Sequence, residues 1–214
     1  MMQTAQTIAP KLAPHEVRAL TRAEMPLLQE HLLRLDASSR RERFNGVADD
    51  AYIIRYADRC LTDGTVVIGF FQDGELRGAA ELHVAEKSPD LIPEVAFSVE
   101  PGLRHRGVGS QLFTRLIGEA KKAGHAQLRI TTGADNEPMR ALANKFGAKL
   151  TFRQGESTGT IDLTDERLAH IGEEATAAPH PALAVPVELA KVAIDLNEMY
   201  WKSLISIYGL SRAA

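Results

Sequence analysis

Seven consecutive residues, Arg104-His105-Arg106-Gly107-Val108-Gly109-Ser110, combine residue types that hold an anion. Gly107 and Gly109 clear side chains from the start of a helix. Its first backbone N–H groups are then free to meet a ligand, aided by the positive end of the helix dipole. Arg104 and Arg106 add charge and forked donors that match phosphate oxygens. Other phosphate loops fit less well. A Walker loop needs Gly-Lys-Ser/Thr at its end, and this chain has Gly109-Ser110-Gln111. A dinucleotide fingerprint needs a third glycine where Leu112 stands, although Asp135 lies where its acidic residue would be. Glycines that serve only tight helix–strand packing would not need two arginines beside them.

The elements around the loop must position it. Residues 93–99 read as a strand running into it, and Val108, Leu112, Phe113, Leu116, Ile117 and Ala120 form the apolar stripe of the helix that follows. Upstream, residues 15–20 form a short strand, and residues 22–35 a helix with Leu27, Leu28, Leu32 and Leu35. A second short helix restarts at Asp36, and a third spans 49–60 with Tyr52, Ile53, Tyr56 and Ala57. Residues 65–72 and 76–85 are strands of a hairpin joined by Asp73-Gly74, and residues 87–90 form a loop. Downstream come a strand at 128–132, a helix opening at Asn136, and a hairpin of 149–153 with 158–163 around residues 154–157.

The bulk numbers exclude several classes. At 214 residues, with 44% hydrophobic and 25% charged residues, the chain is an ordinary globular one with length to spare beyond one core. A net charge of −3 predicts no general affinity for nucleic acid or an anionic membrane. No segment reaches the ~20 apolar residues of a membrane span, and the first twelve residues lack the continuous apolar core of a signal peptide. The single cysteine, Cys60, fits a reducing, cytoplasmic setting. The histidines at 15, 31, 83, 125, 170 and 180 show no metal-ligand spacing, so no metal is expected.

The segment Arg104-x-x-Gly107-x-Gly109 resembles the acyl-CoA pyrophosphate loop of the GNAT N-acetyltransferase superfamily. Asn136-x-x-Met139-x-x-Leu142-x-x-Lys145-Phe146-Gly147-Ala148 resembles the family's later helix. The resemblance spans residues 15–163. It implies an α/β (α+β) chain with a mixed, mostly antiparallel sheet that splays open in its middle and is flanked by helices. It also implies acetyl-CoA as co-substrate, with its pantetheine in the split along Ala96 to Val99. The cofactor-binding set is then Phe97, Ser98, Val99, Arg104, His105, Arg106, Gly107, Val108, Gly109, Ser110 and Asn136. An N-cap role for Asn136 stands beside a pantetheine contact, and His105 is expected to face solvent or phosphate.

Acetyl transfer to an amine needs a general base and a donor for the developing oxyanion. The resemblance implies Glu94 as base, directly or through a water, and backbone N–H groups near 97–99 as oxyanion donors. Apolar Pro93 and Val95 beside Glu94 predict partial burial and a raised pKa. Glu81, on the preceding strand, is the second candidate. The tyrosine that many members use as general acid is replaced by Ala143, so the thiolate leaves unassisted, another residue donates, or catalysis is weak. Residues 35–44 resemble a segment that borders the acceptor site in members similar to bacterial protein lysine acetyltransferases. There Arg40, Arg41 and Arg43 either meet an acidic substrate or lie on a solvated helix face.

The implied function is transfer to a protein lysine or small amine; a non-catalytic acyl-CoA-binding regulatory module is the alternative. Residues 1–14 form a tail, 164–186 a short helix and Pro/Ala linker, and 187–214 an amphipathic C-terminal helix. Leu189, Val192, Leu196, Tyr200, Leu204 and Ile207 give that helix an apolar face. It is expected to pack on its own domain or on a second subunit in a homodimer, with a partner protein as a further option.

Overall fold

Seven strands form one sheet in the order β1-β2-β3-β4-β5-β7-β6 in a computed structural model that describes residues 14–84 and 92–171. Most of the residue 1–14 tail, the linker after residue 174 and the C-terminal helix lie outside the described residues. The strands are β1 His15–Ala19, β2 Val66–Gln72, β3 Glu75–His83, β4 Glu94–Val99, β5 Gln127–Gly133, β6 Thr151–Arg153 and β7 Glu156–Asp162. The helices are α1 Met25–Arg34, α2 Ala37–Phe44, α3 Asp50–Thr62, α4 Val108–Lys122 and α5 Glu137–Lys145. Only the β4–β5 pair is parallel; its register covers Glu94↔Arg129 and Val95↔Ile130 and no more. Beyond Val95 the two strands diverge, giving the expected split.

Strand alternation explains the layers. On β2, Val67 faces one core and Ile68 the other; on β3, Ala79 and Ala80 do the same. One core joins α4 and α5 to the sheet through Leu112, Phe113, Leu116, Leu128 and Ile130. The other joins α1 and α3 through Leu28, Leu32, Ile53 and Cys60. The α4 stripe is as expected, with Val108, Leu112, Phe113, Leu116, Ile117 and Ala120 all buried.

The Asp73-Gly74 hairpin turn forms with φ of 54° and 80°, the left-handed pair of a type I′ turn. The last hairpin differs from its expectation. Its turn is only Gln154-Gly155, with φ of 49° and 84°, so Glu156 and Ser157 join β7 rather than a loop. The first helix also differs: Arg22–Glu24 is a 3₁₀ turn, capped at Thr21, before α1 begins. The short helix expected after residue 164 is reduced to a 3₁₀ turn at Glu166–Leu168.

Candidate active site

The split opens into a cleft of about 620 Å³. One wall is β4 from Val95 to Val99, and the other is Thr131, Thr132 and the start of α5. The loop and the first turn of α4 close one end, and Leu35, Ser39, Glu42 and Arg43 close the side toward α2.

Gly107 is the N-cap of α4, with φ of 83°. That left-handed conformation suits glycine, since a Cβ there would be strained. His105 is also left-handed, with φ of 58°, and the two residues bend the loop around the helix start. Gly109 has a different reason: a Cβ there would stand 3.3 Å from Leu142 Cδ2, so its absence lets α5 approach. Both glycines, with His105, Val108 and Ser110, line the cleft. Lys145 also lines it and reaches across to Ser110 Oγ at 2.9 Å, placing a cation at the helix start that the sequence reading missed.

The two arginines of the loop divide. Arg104 lines the cleft, but its guanidinium is turned inward, donating to Val99 O at 3.1 Å and Ser39 Oγ at 2.8 Å and pairing with Glu42 at 3.1 Å. In this state it fastens α2 to the end of β4. Arg106 is exposed and outside the cleft lining. Asn136 lines the cleft and caps α5, accepting from Met139 N at 3.1 Å. Phe97, Ser98 and Val99 line the cleft where β4 is no longer paired with β5.

The two carboxylate candidates differ from their expectation. Glu94 is exposed at the first position of β4, not partly buried: its backbone pairs with His83 on one side and Arg129 on the other, but its side chain stays in solvent and outside the cleft lining. Glu81 is fully buried but fully engaged: Arg43 donates at 2.8 Å, Tyr56 Oη at 2.6 Å, and His83 Nε2 stands 3.3 Å away. Burial alone would raise the Glu81 carboxyl. The Arg43 charge and the His83 and Tyr56 hydrogen bonds outweigh it and hold the carboxyl at about 2. Such a group takes no proton from an amine near neutral pH, and Glu81 does not line the cleft. Its role is to neutralise Arg43.

Two of the three arginines of the 35–44 segment are internal fasteners. Arg40 donates to Leu33 O and Asp50, and Arg43 to Glu81. Only Arg41 is exposed.

Two groupings were invisible to residue spacing. Donor atoms of Cys60, Glu81 and His83 lie within 4.8 Å of one another, a set of metal-ligand types assembled from α3 and β3. Tyr56 Oη already stands 2.6 Å from Glu81 Oε2 and 3.0 Å from His83 Nε2, among those atoms. The second grouping is His31 on α1, fully buried, with Nε2 3.0 Å from Ser98 Oγ. Ala143, in contrast, is fully buried in the α4/α5 core and does not line the cleft.

A mixed sheet split in its middle, with a glycine-led helix start closing one end of the split, leaves a cleft that ends on the first turn of α4. The chain belongs to the acetyltransferase (GNAT) family, whose model matches residues 31–148. It is 32% identical over 125 residues to a mycothiol acetyltransferase of Actinosynnema mirum, covering 58% of this chain and 40% of that protein. The chain thus spans less than half of that relative's length. The fold matches the GNAT domain of S. lividans PAT with a TM-score of 0.58 at 20% identity, over 69% of this chain and 89% of that one. It also matches the PaiA N-acetyltransferase of Thermoplasma acidophilum in complex with coenzyme A, with a TM-score of 0.52 at 17% identity, over 70% and 99%. Among the described residues, no helix is long and apolar enough to cross a membrane.

Proposed function

We propose that this protein transfers an acetyl group from acetyl-CoA to a primary amine, on a protein lysine or a small molecule. The observation that carries the reading is the end of β4–β5 pairing at Val95, beside a helix that starts at left-handed Gly107. An amide-bearing arm can pair with β4 from Ala96 to Val99 as an added strand. Its phosphates then meet the N–H groups of α4 and the cations of Lys145 and, after it turns outward, Arg104. Backbone N–H groups of Phe97 to Val99 are the donors for the developing oxyanion.

Glu94, at the start of β4, one residue before β4–β5 pairing ends and just outside the residues that line the cleft, is the proposed base. Its exposure suits action through a water on an amine that enters from solvent. A non-catalytic acyl-CoA-binding module would use the same cleft, but would need no carboxylate beside it.

Calorimetric titration of acetyl-CoA into wild type and Gly107→Glu tests the reading. Wild type is expected to bind and the variant to fail, since it sets a negative side chain where phosphate must sit. Equal binding by both proteins, or none by wild type, overturns it.

A further inference from the structure

Behind the cleft wall runs a chain of polar groups that the reaction as described leaves unused. Ser98 lies on β4, lines the cleft and is 6% exposed. His31 Nε2 stands 3.0 Å from its hydroxyl, and the ring is completely shut off from solvent. On the far side, His31 Nδ1 is 3.5 Å from Glu100 Oε1, within ion-pair range but without a well-aligned hydrogen bond. Glu100 is in turn flanked by Arg34 at 3.2 Å and Arg77 at 2.6 Å. Burial pushes the Glu100 carboxyl up, but His31, Arg77 and Arg34 outweigh it and keep it ionised.

A buried imidazole between a cleft-lining hydroxyl and an anchored carboxylate costs desolvation that packing alone does not require.

We propose that Ser98 donates the proton to the departing thiolate, with His31 supplying it and Glu100 holding the imidazolium in place. This rests on the acetyl-transfer reading above. As the amine nitrogen bonds to the acyl carbon and the C–S bond breaks, the bonding pair goes to sulfur. The Ser98 hydroxyl gives its proton to that sulfur, and the Nε2 proton of the imidazolium passes to Ser98 Oγ. The coenzyme leaves as a neutral thiol, and His31 is left neutral with its Nδ1 proton toward Glu100. The proton surrendered by the amine to the base, and then to water, balances the one taken by sulfur. A proton returns from water through Ser98 once the thiol has gone. The charged groups facing His31 are Arg34 from α1, Arg77 from β3 and Glu100 after β4, so the carboxylate stands between the imidazolium and two guanidiniums. Ser98 is the catalytic residue; His31 and Glu100 are positioning residues.

The test measures thiol release from acetyl-CoA with a lysine peptide and a polyamine as acceptors, for wild type, Ser98→Ala, Ser98→Cys and His31→Gln. Acetyl-CoA affinity is followed by calorimetry and fold by thermal melting. Ser98→Ala and His31→Gln are expected to lower kcat about tenfold, the small end of general acid effects because a thiol is a fair leaving group. KM for acetyl-CoA should stay within about twofold, as for loss of an interaction made only in the transition state. Ser98→Cys should restore most of the rate. Wild-type kcat in Ser98→Ala, or a loss of rate matched by lost acetyl-CoA affinity, overturns the assignment. So does acetyl-Ser98, seen by mass spectrometry after acetyl-CoA alone, which would make the hydroxyl a nucleophile. Wild type that binds acetyl-CoA but acylates neither amine overturns the relay and the transfer reading together, whereas a turning-over wild type with an unaffected variant overturns the relay alone.

Discussion

Arg43 and Glu81 meet at 2.8 Å with side chains 7% and 0% exposed, tying α2 to β3 beneath the cleft. Two charges out of water are tolerable only as a pair, so losing one should hurt more than losing both. Arg43→Met or Glu81→Leu alone should cost about 3–5 kcal/mol. The double change Arg43→Met/Glu81→Leu should cost less than either single one. Denaturant melts of the three variants check this, and additive losses would show that the pair is not coupled.

The same pair sets an acid limit. Glu81 is held at about 2 in the folded chain, below its ordinary value of 4.5. A depressed carboxylate stabilises the fold fully above its unfolded value, and that contribution is lost as pH falls through the window toward about 2. Glu24, held at about 2 chiefly by its Arg18 hydrogen bonds, adds a smaller, solvent-screened share in the same window. The melting temperature of wild type should therefore drop steeply between pH 4.5 and 2, and that of the double variant less so. Equal slopes for the two proteins would remove Glu81 from the account.

Asn136 carries two roles that one substitution can part. Asn136→Ala removes the cap on α5 and should cost about 1 kcal/mol, while Asn136→Ser keeps a capping oxygen and most of that stability. If the amide also holds the coenzyme arm, the serine variant should melt as wild type yet bind acetyl-CoA more weakly. Unchanged affinity in Asn136→Ser would leave the residue as a cap alone.

Glu94→Gln separates chemistry from binding. The carboxamide keeps the shape but cannot take a proton, so kcat should fall about a hundredfold or more with acetyl-CoA affinity unchanged. Rates equal to wild type across pH 6–9 would send the search for the base into the cleft itself.

The fold was readable where the signal was local. The α4 stripe and the Asp73-Gly74 turn each depend on residues a few positions apart, and both appear as expected. The second hairpin was misplaced because its turn uses Gln154, which takes φ of 49° without the Asn or Asp that usually marks that conformation. Glu94 and Glu81 share one face of the sheet through the β3–β4 register, yet one is exposed and the other fully buried, a difference that residue spacing does not state. Partners distant in sequence were least legible: His31 and Ser98 are 67 positions apart, and Arg43 and Glu81 are 38 apart. Nothing in the α2 segment says that Arg43 turns inward while Arg41 stays in solvent.

The early end of the β4–β5 ladder has one more consequence. A sheet normally keeps its unpaired rims at the outside, where charges and bulges guard them. Here a rim is set inside the molecule, between two halves of one sheet, and what lies along it is read through main-chain groups alone. Such a rim is indifferent to the identity of the amide that joins it. Discrimination must then fall to the two ends of the slot, the charged helix start at one and the fork of the strands at the other. If the proposed donor lies along this rim, a chain built this way can change what it modifies by altering residues at the fork and leave the rim itself untouched.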